Sequence, residues 1–239
     1  MKSKIIYNIN KIEDFNIYDV LEILWTKSRK VFHGEADFQF ELMEVIKEYY
    51  ENSIVRAEHP FKDNHNKRRY IDILVTDANN KKGIAIELKY KTKNRNSEYF
   101  DIDSERYILG NHEAKNDNSY FILKDIEEIQ NLVGTTIENY EIEILKGFVI
   151  FITNDRSYMT NEIEGQAKEF SLNKINDNDE TRNYKGIISY YNTKGTIKYP
   201  DLNFDREKGH VGKWINLDKF LDNEGNSHQL FELIFEVER

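Results

Sequence analysis

The sequence predicts an α/β fold of the α+β kind, with its leading elements in the order α, β, β, β, α, β. Three observations carry that prediction. Residues 69–93 read as two strands around a turn. Residues 17–50 and 119–132 carry apolar side chains at helical spacing. Residues 146–154 are an unbroken apolar run, the pattern of a strand covered on both faces.

The hairpin organises the rest. Ile71, Ile73 and Val75 alternate with Asp72 and Leu74; Ala78, Asn79, Asn80 and Gly83 supply turn chemistry; then Ile84, Ile86 and Leu88 alternate with Ala85, Glu87 and Lys89. Side chains alternate faces along a strand, so Glu87 and Lys89 point the same way. A register that puts both apolar rows on one face puts Asp72 beside them. Such a trio suits a hard divalent cation, Mg²⁺ or Mn²⁺, which takes oxygen ligands from one or two carboxylates, water and phosphate. A cation there polarises a phosphodiester and generates a hydroxide nucleophile. Lys89 would orient the water or stabilise charge developing at phosphorus. The same three residues also suit the solvated face of an amphipathic hairpin, and Asp, fourteen residues, Glu-x-Lys is a spacing that arises by chance.

Ile-Asp-Ile-Leu-Val followed by Ile-Ala-Ile-Glu-Leu-Lys resembles the core motif of the PD-(D/E)xK, restriction-endonuclease-like nuclease superfamily, with Asp72, Glu87 and Lys89 at its three positions. Ile71 stands where the family name has proline. The resemblance implies a restriction-endonuclease-like core, αβββαβ, in which a mixed central sheet is flanked by helices. It also implies that Asp72 and Glu87 ligate the metal while Lys89 acts on the nucleophilic water.

The remaining elements are read in order. Val20, Leu21, Ile23, Leu24 and Trp25 give a helical stripe over residues 17–31. A second helix runs to about residue 50, burying Phe38, Leu42, Val45, Ile46 and Tyr49. The string Gly34-Glu35-Ala36-Asp37-Phe38-Gln39 at its start resembles an element of an uncharacterised bacterial group in the superfamily, which implies Glu35 as a further catalytic and metal-ligating carboxylate. Glu41 and Glu44 are lesser candidates. Read without the resemblance, Glu35 is an acidic residue favoured at a helix N-terminus. Residues 53–58 read as a strand ended by His59-Pro60, and residues 61–70 as a polar loop. A helix is expected over about residues 119–132, with Phe121, Ile122, Ile126, Ile129, Leu132 and Val133 on its apolar side and Gly134 ending it.

With 39% hydrophobic and 32% charged residues and only two prolines, the chain of 239 residues is globular rather than disordered. A single domain is expected, with a nuclease core over about residues 17–155 and a C-terminal extension over about 156–239. No apolar run reaches the roughly 18 residues of a membrane helix, and no apolar segment after Met1 reads as an export signal. Cysteine is absent, which excludes disulfides and thiolate zinc sites and fits a cytoplasmic protein. His59 and His65 lack metal-ligand spacing. Residues 176–180 are an acidic stretch without the spacing of a calcium loop, and read as solvated.

Net charge is −9, whereas nucleic-acid binders are usually basic. A local strip can serve, and Lys67, Arg68, Arg69, Lys91 and Lys93 form the candidate, positioning phosphates without reading sequence. Tyr190, Tyr191, Tyr199 and Trp214, with lysines nearby, suit either a base-stacking surface or a core. The reading is therefore a Mg²⁺- or Mn²⁺-dependent deoxyribonuclease, an endonuclease by expectation, acting on DNA in restriction, defence or DNA processing. RNA remains open as a substrate, as does whether the chain acts alone or as a homodimer. The alternative is a non-catalytic nucleic-acid-binding module that keeps the fold; a third reading, an unrelated enzyme or structural protein, would make the trio a coincidence.

Overall fold

The computed structural model describes residues 12–26, 31–63, 65–79, 81–93, 99–100, 106–112, 114–137, 140–191, 197–222 and 224–239. A 3-10 turn, Ile12–Asp14, leads into α1 (Ile17–Thr26) and α2 (Glu35–Tyr49). Three strands follow: β1 (Ile54–Lys62), β2 (Arg68–Thr76) and β3 (Lys82–Tyr90). A small ribbon, β4 (Tyr99–Phe100) and β5 (Arg106–Tyr107), precedes α3 (Lys115–Leu132), β6 (Thr136–Ile137) and β7 (Ile142–Thr153). After a single turn, α4 (Ser157–Thr160), and a 3-10 stretch, Gly165–Phe170, come β8 (Gly186–Tyr191), β9 (Ile197–Phe204), β10 (Gly212–Leu221) and β11 (Ser227–Glu238).

The main sheet has the order β1-β2-β3-β7-β11-β10, with β6 paired to the start of β7. Only β3 and β7 are parallel among its described pairs. Parallel neighbours need a crossover, and α3 supplies it. The architecture is α+β: a mixed, largely antiparallel sheet flanked by helices. Strand alternation splits the core into two layers. Ile73, Val75, Ile84, Ile86, Leu88, Phe148, Ile150 and Ile152 face α1 and α2. Leu74, Ala85, Val149, Phe151, Leu233 and Phe235 pack with Ile122, Ile126 and Ile129 of α3. The helix seats closely at Gly147 of β7, where an added Cβ would lie 2.3 Å from Ile129 Cγ2.

Several expected boundaries move, each for a local reason. The first helix ends at Thr26; residues 27–30 lie outside the described residues, and Val31 is non-helical. The strand expected to stop at His59-Pro60 runs on to Lys62. It is the sheet edge, where a residue without an N–H is tolerated, and the expected loop shrinks to the turn 63–67. Helix α3 begins one turn early, at Lys115, and Phe121 is 42% exposed rather than buried, its ring lying outside the core against Tyr120 and Tyr199.

Residues beyond 155 are built into the core rather than appended to it. β11 pairs with β7 from Phe231↔Thr153 to Glu238↔Lys146, and β10 closes the far edge. The aromatics considered for base stacking are core: Trp214 is buried and donates its indole N–H to the Leu172 carbonyl at 2.6 Å, Tyr190 is buried, and Tyr199 stacks on Tyr120 at 4.5 Å. The side chain of Tyr191 lies outside the described residues. No helix among the described residues is long and apolar enough to cross a membrane.

One polar group lies deep in the layer under α1. Glu232 of β11 is 1% exposed, and Trp25 Nε1 donates to its Oε1 at 3.3 Å. Burial pushes this carboxyl up to about 8 against the pull of the indole hydrogen bond. Between an ordinary value of 4.5 and about 8 the folded chain therefore holds a proton that the unfolded chain has released. Stability present below that window is lost as pH rises through it, at a slope approaching about 1.4 kcal/mol per pH unit. Glu232→Gln removes the titration, so its thermal midpoint should exceed that of wild type by more at pH 8 than at pH 5. An equal difference at the two pH values in calorimetry would overturn this account of Glu232.

Candidate active site

The β2–β3 ladder stops early. Paired residues run from Thr76↔Gly83 to Ile73↔Ile86 and no further, whereas β3 stays paired to β7 as far as Tyr90. On the side where β2 has parted, the next amides of β3 meet carboxylates in place of carbonyls. Leu88 N donates to Asp72 Oδ2 at 2.7 Å, and Tyr90 N donates to Glu35 Oε2 at 2.9 Å. Two side chains from different elements thus satisfy amides that would otherwise be orphaned.

A backbone irregularity in β1 lies opposite the parting. In β1 the pairing passes from Ala57↔Ile73 to His59↔Ile71 without a change of register, and the one unpaired position, Glu58 opposite Asp72, takes φ 48°. A left-handed residue inside a strand turns the extended backbone locally off its course. The bend shows in the packing: Ile73 and Val75 join the α1–α2 layer while Ile71 joins the α3 layer. Asp72 sits at the change-over. Its backbone carbonyl accepts Gln39 Nε2 at 2.6 Å, and the same amide reaches Glu58 Oε1 at 3.4 Å.

Asp72, Glu87 and Lys89 are brought together. Asp72 and Glu87 are within hydrogen-bonding reach of each other, and Lys89 Nζ lies 2.8 Å from Asp125 Oδ2 on α3 and 3.1 Å from the Leu88 carbonyl oxygen. The Lys89–Asp125 contact is a close ion pair without the alignment of a hydrogen bond. Glu35 reaches the same slot, and Asp72 and Lys89 both feel its charge. As the first residue of α2 it leaves the local capping role to Asp37, whose Oδ2 accepts His33 N at 2.8 Å.

Burial dominates the acids. It raises Asp72, opposed by the Leu88 N–H and by Lys89. It raises Glu87 well above the usual carboxylate range, and the charges of Asp72 and Asp125 add to the effect. The two carboxyls are best satisfied when one proton or one cation lies between them, and of the two Glu87 is pushed further up and so is the readier to hold a proton. Asp125 is pushed up to about 6 by burial, with Lys89 pulling it back. For Lys89, burial acts downward, yet the carboxylates of Asp125, Glu35 and Asp72 together outweigh it, so the ammonium stays charged.

The oxygen-only donors of the slot fit a hard cation rather than a soft metal. Among the described residues no three His, Cys, Asp or Glu converge as a ready-made ligand set. A hard cation placed in the slot would find its oxygen donors in Asp72 and Glu87, with the rest of its shell left to water. Glu35 already spends one oxygen on Tyr90 N, and that oxygen lies 3.6 Å from Lys91 Nζ. Glu44 pairs with Lys47 away from the slot.

The basic strip is more neutralised than its composition suggests. Arg69 lies 3.2 Å from Asp63 and 3.9 Å from Glu128, Lys91 meets Glu35, and Lys93 lies 2.7 Å from Asp155. Lys67 and Arg68 are exposed; Arg68 lies over the Tyr70 ring. Glu128 is one helical turn from Asp125, so Arg69 and Lys89 anchor to neighbouring turns of α3. Lys67 and Arg69 also line a cleft of about 800 Å³ beside α3, whose walls mix Lys124 with Glu127, Glu128 and Asp201.

Two residues of the slot escape a reading of the sequence. Asp125 signals itself only as a carboxylate beside the Ile122–Ile126–Ile129 stripe, and Gln39 only by lying four residues after Glu35, on the same helix face. Compared with protein-family models, curated proteins and solved structures, the chain matches none.

Three raised acids share the slot, so the metal-free protein should lose stability as pH rises from about 4 towards 7, as the folded state gives up protons later than the unfolded chain. Asp72→Asn should raise the melting temperature in chelator and flatten this fall; a variant less stable than wild type at pH 7 would show that the carboxylate repulsion is not the dominant effect.

Proposed function

We propose that the chain is a divalent-cation-dependent deoxyribonuclease with a restriction-endonuclease-like core, hydrolysing phosphodiesters at the slot between β2 and β3. The observation that carries this reading is the adjacent buried pair Asp72 and Glu87 with a charged Lys89 beside it. Buried like charges are costly unless neutralised, so the pair is a structural liability that cation binding would relieve. Outside a functional site, such a pair would be replaced at little cost by apolar side chains. The order α2, β1, β2, β3, α3, β7 and the parallel β3–β7 pair support the core assignment.

Asp72 and Glu87 would hold the cation, which when bound supplies positive charge to the phosphodiester and acidifies a water. The proton on Glu87 must leave before both carboxylates ligate, so affinity should fall as pH is lowered. Lys89, kept protonated by Asp125, Glu35 and Asp72, serves as a fixed positive charge for the attacking water and the phosphorane oxygens rather than as a base. Glu35 and Gln39 hold the slot open, one fastening β3 and the other β2 to α2.

Supercoiled and linear DNA incubated with Mg²⁺ or Mn²⁺ test the reading directly, with an RNA of the same sequence as a parallel arm. Nicking of the supercoiled form is expected. Asp72→Ala should abolish divalent binding in calorimetry, whereas Lys89→Ala should keep it and lower kcat by about 10²-fold or more. Wild-type protein that binds DNA but cuts neither form with either metal would leave the non-catalytic binding module as the correct reading.

A further inference from the structure

Along one end of the sheet the strand ends follow one another across β3, β7, β11 and β10. Tyr90 of β3 pairs with Ile152 of β7, Thr153 of β7 with Phe231 of β11, and the start of β11 with the end of β10 at Leu221↔Ser227. The carboxylate slot opens at the β3 side of this end. At the β10 side lies a separate cleft of about 320 Å³, with Arg156 and Lys219 on its rim and Asn154, Ser227, His228 and Gln229 within it.

The charges of this cleft differ from those around the slot. Arg156 and Lys219 are both exposed, and neither meets a carboxylate among the described residues. The nearby acids are already engaged: Asp155 by Lys93 at 2.7 Å and by the Ser157 N–H at 3.1 Å, and Asp222 by His228 Nε2 at 2.8 Å and Asn226 Nδ2 at 3.0 Å. Around the slot, by contrast, Arg69, Lys91 and Lys93 are all paired with carboxylates. An unengaged guanidinium and ammonium beside hydroxyl and amide groups suit a phosphate, the guanidinium as a two-pronged donor and the ammonium as a point charge. Three strand spacings separate β3 from β10, about 14 Å at about 4.8 Å each, a distance that a nucleic-acid backbone covers in a few nucleotides.

We propose that the Arg156–Lys219 cleft holds a backbone phosphate of the same strand whose phosphodiester lies at the slot, so that the substrate runs across the sheet end from β3 to β10. This rests on the nuclease reading for the partner's identity but not for the measurement. Binding of a labelled single-stranded DNA is followed by fluorescence anisotropy in chelating buffer, where no divalent-dependent cleavage occurs. Arg156→Ala/Lys219→Ala should weaken binding by about tenfold and make the salt dependence shallower by about 1 to 2 in slope. Lys208→Ala/Lys213→Ala, an equal loss of exposed charge away from the cleft, should leave both near wild type. Unchanged affinity in the first variant, or equal weakening in both, overturns the proposal. So does a cleft that takes up inorganic phosphate in a wild-type protein that binds no DNA. Wild type that binds through Arg156 and Lys219 yet never cuts supports the cleft and sinks the nuclease reading, so the two can fail separately.

Discussion

The site depends on the early end of the β2–β3 ladder. A sheet interior normally answers every amide with a carbonyl, and a strand that parts from its neighbour must find substitutes. Here the substitutes are Asp72 and Glu35, and their oxygens lock the chemistry of the slot to the hydrogen bonding of β3. The left-handed backbone of Glu58, the Gln39 amide on the Asp72 carbonyl and the long parallel pairing of β3 with β7 are the fixed points that keep the gap open on one side and closed on the other.

Charge in this protein is arranged in engaged pairs more than in fields. The net charge of −9 would repel a polyanion from most of the surface. Most of the cations nearest the slot are held by carboxylates, so they order the slot's walls as much as they attract a ligand. A buried Lys89 is compatible with this only because three acids surround it. Were Asp125 removed, burial and attraction would be much nearer balance, and the ammonium would become the costly partner.

How far the sequence foretold this follows from the range of each signal. Strand alternation is a local rule, and it sufficed to bring Asp72, Glu87 and Lys89 to one place, because a hairpin has few registers that bury both apolar rows. Helices α1, α2 and α3 were legible from periodicity and β7 from its unbroken apolar run, which are local signals too. Glu35 came from a short string and a resemblance, and its actual partner, Tyr90 N, could not be read from either. Gln39 and Asp125 are polar residues whose roles exist only once α2 and α3 are packed on opposite faces of the sheet. The positive φ at Glu58 had no signature, since glutamate is not a residue that announces it. β10 was missed because Lys213, Asn216, Asp218 and Lys219 put polar side chains on both of its faces and its register shifts between Asn216 and Lys219, which breaks the alternation.

The two borders of the main sheet are β1 and β10, and both are poor templates for a further strand. β1 carries Pro60, which has no N–H, and Glu58 interrupts its extended backbone with a positive φ. β10 shifts register between Asn216 and Lys219 and turns charged side chains to solvent. Each irregularity interrupts the regular row of donors and acceptors that a second chain would need to zip alongside. Continuing the sheet from one molecule into the next is therefore disfavoured at both borders.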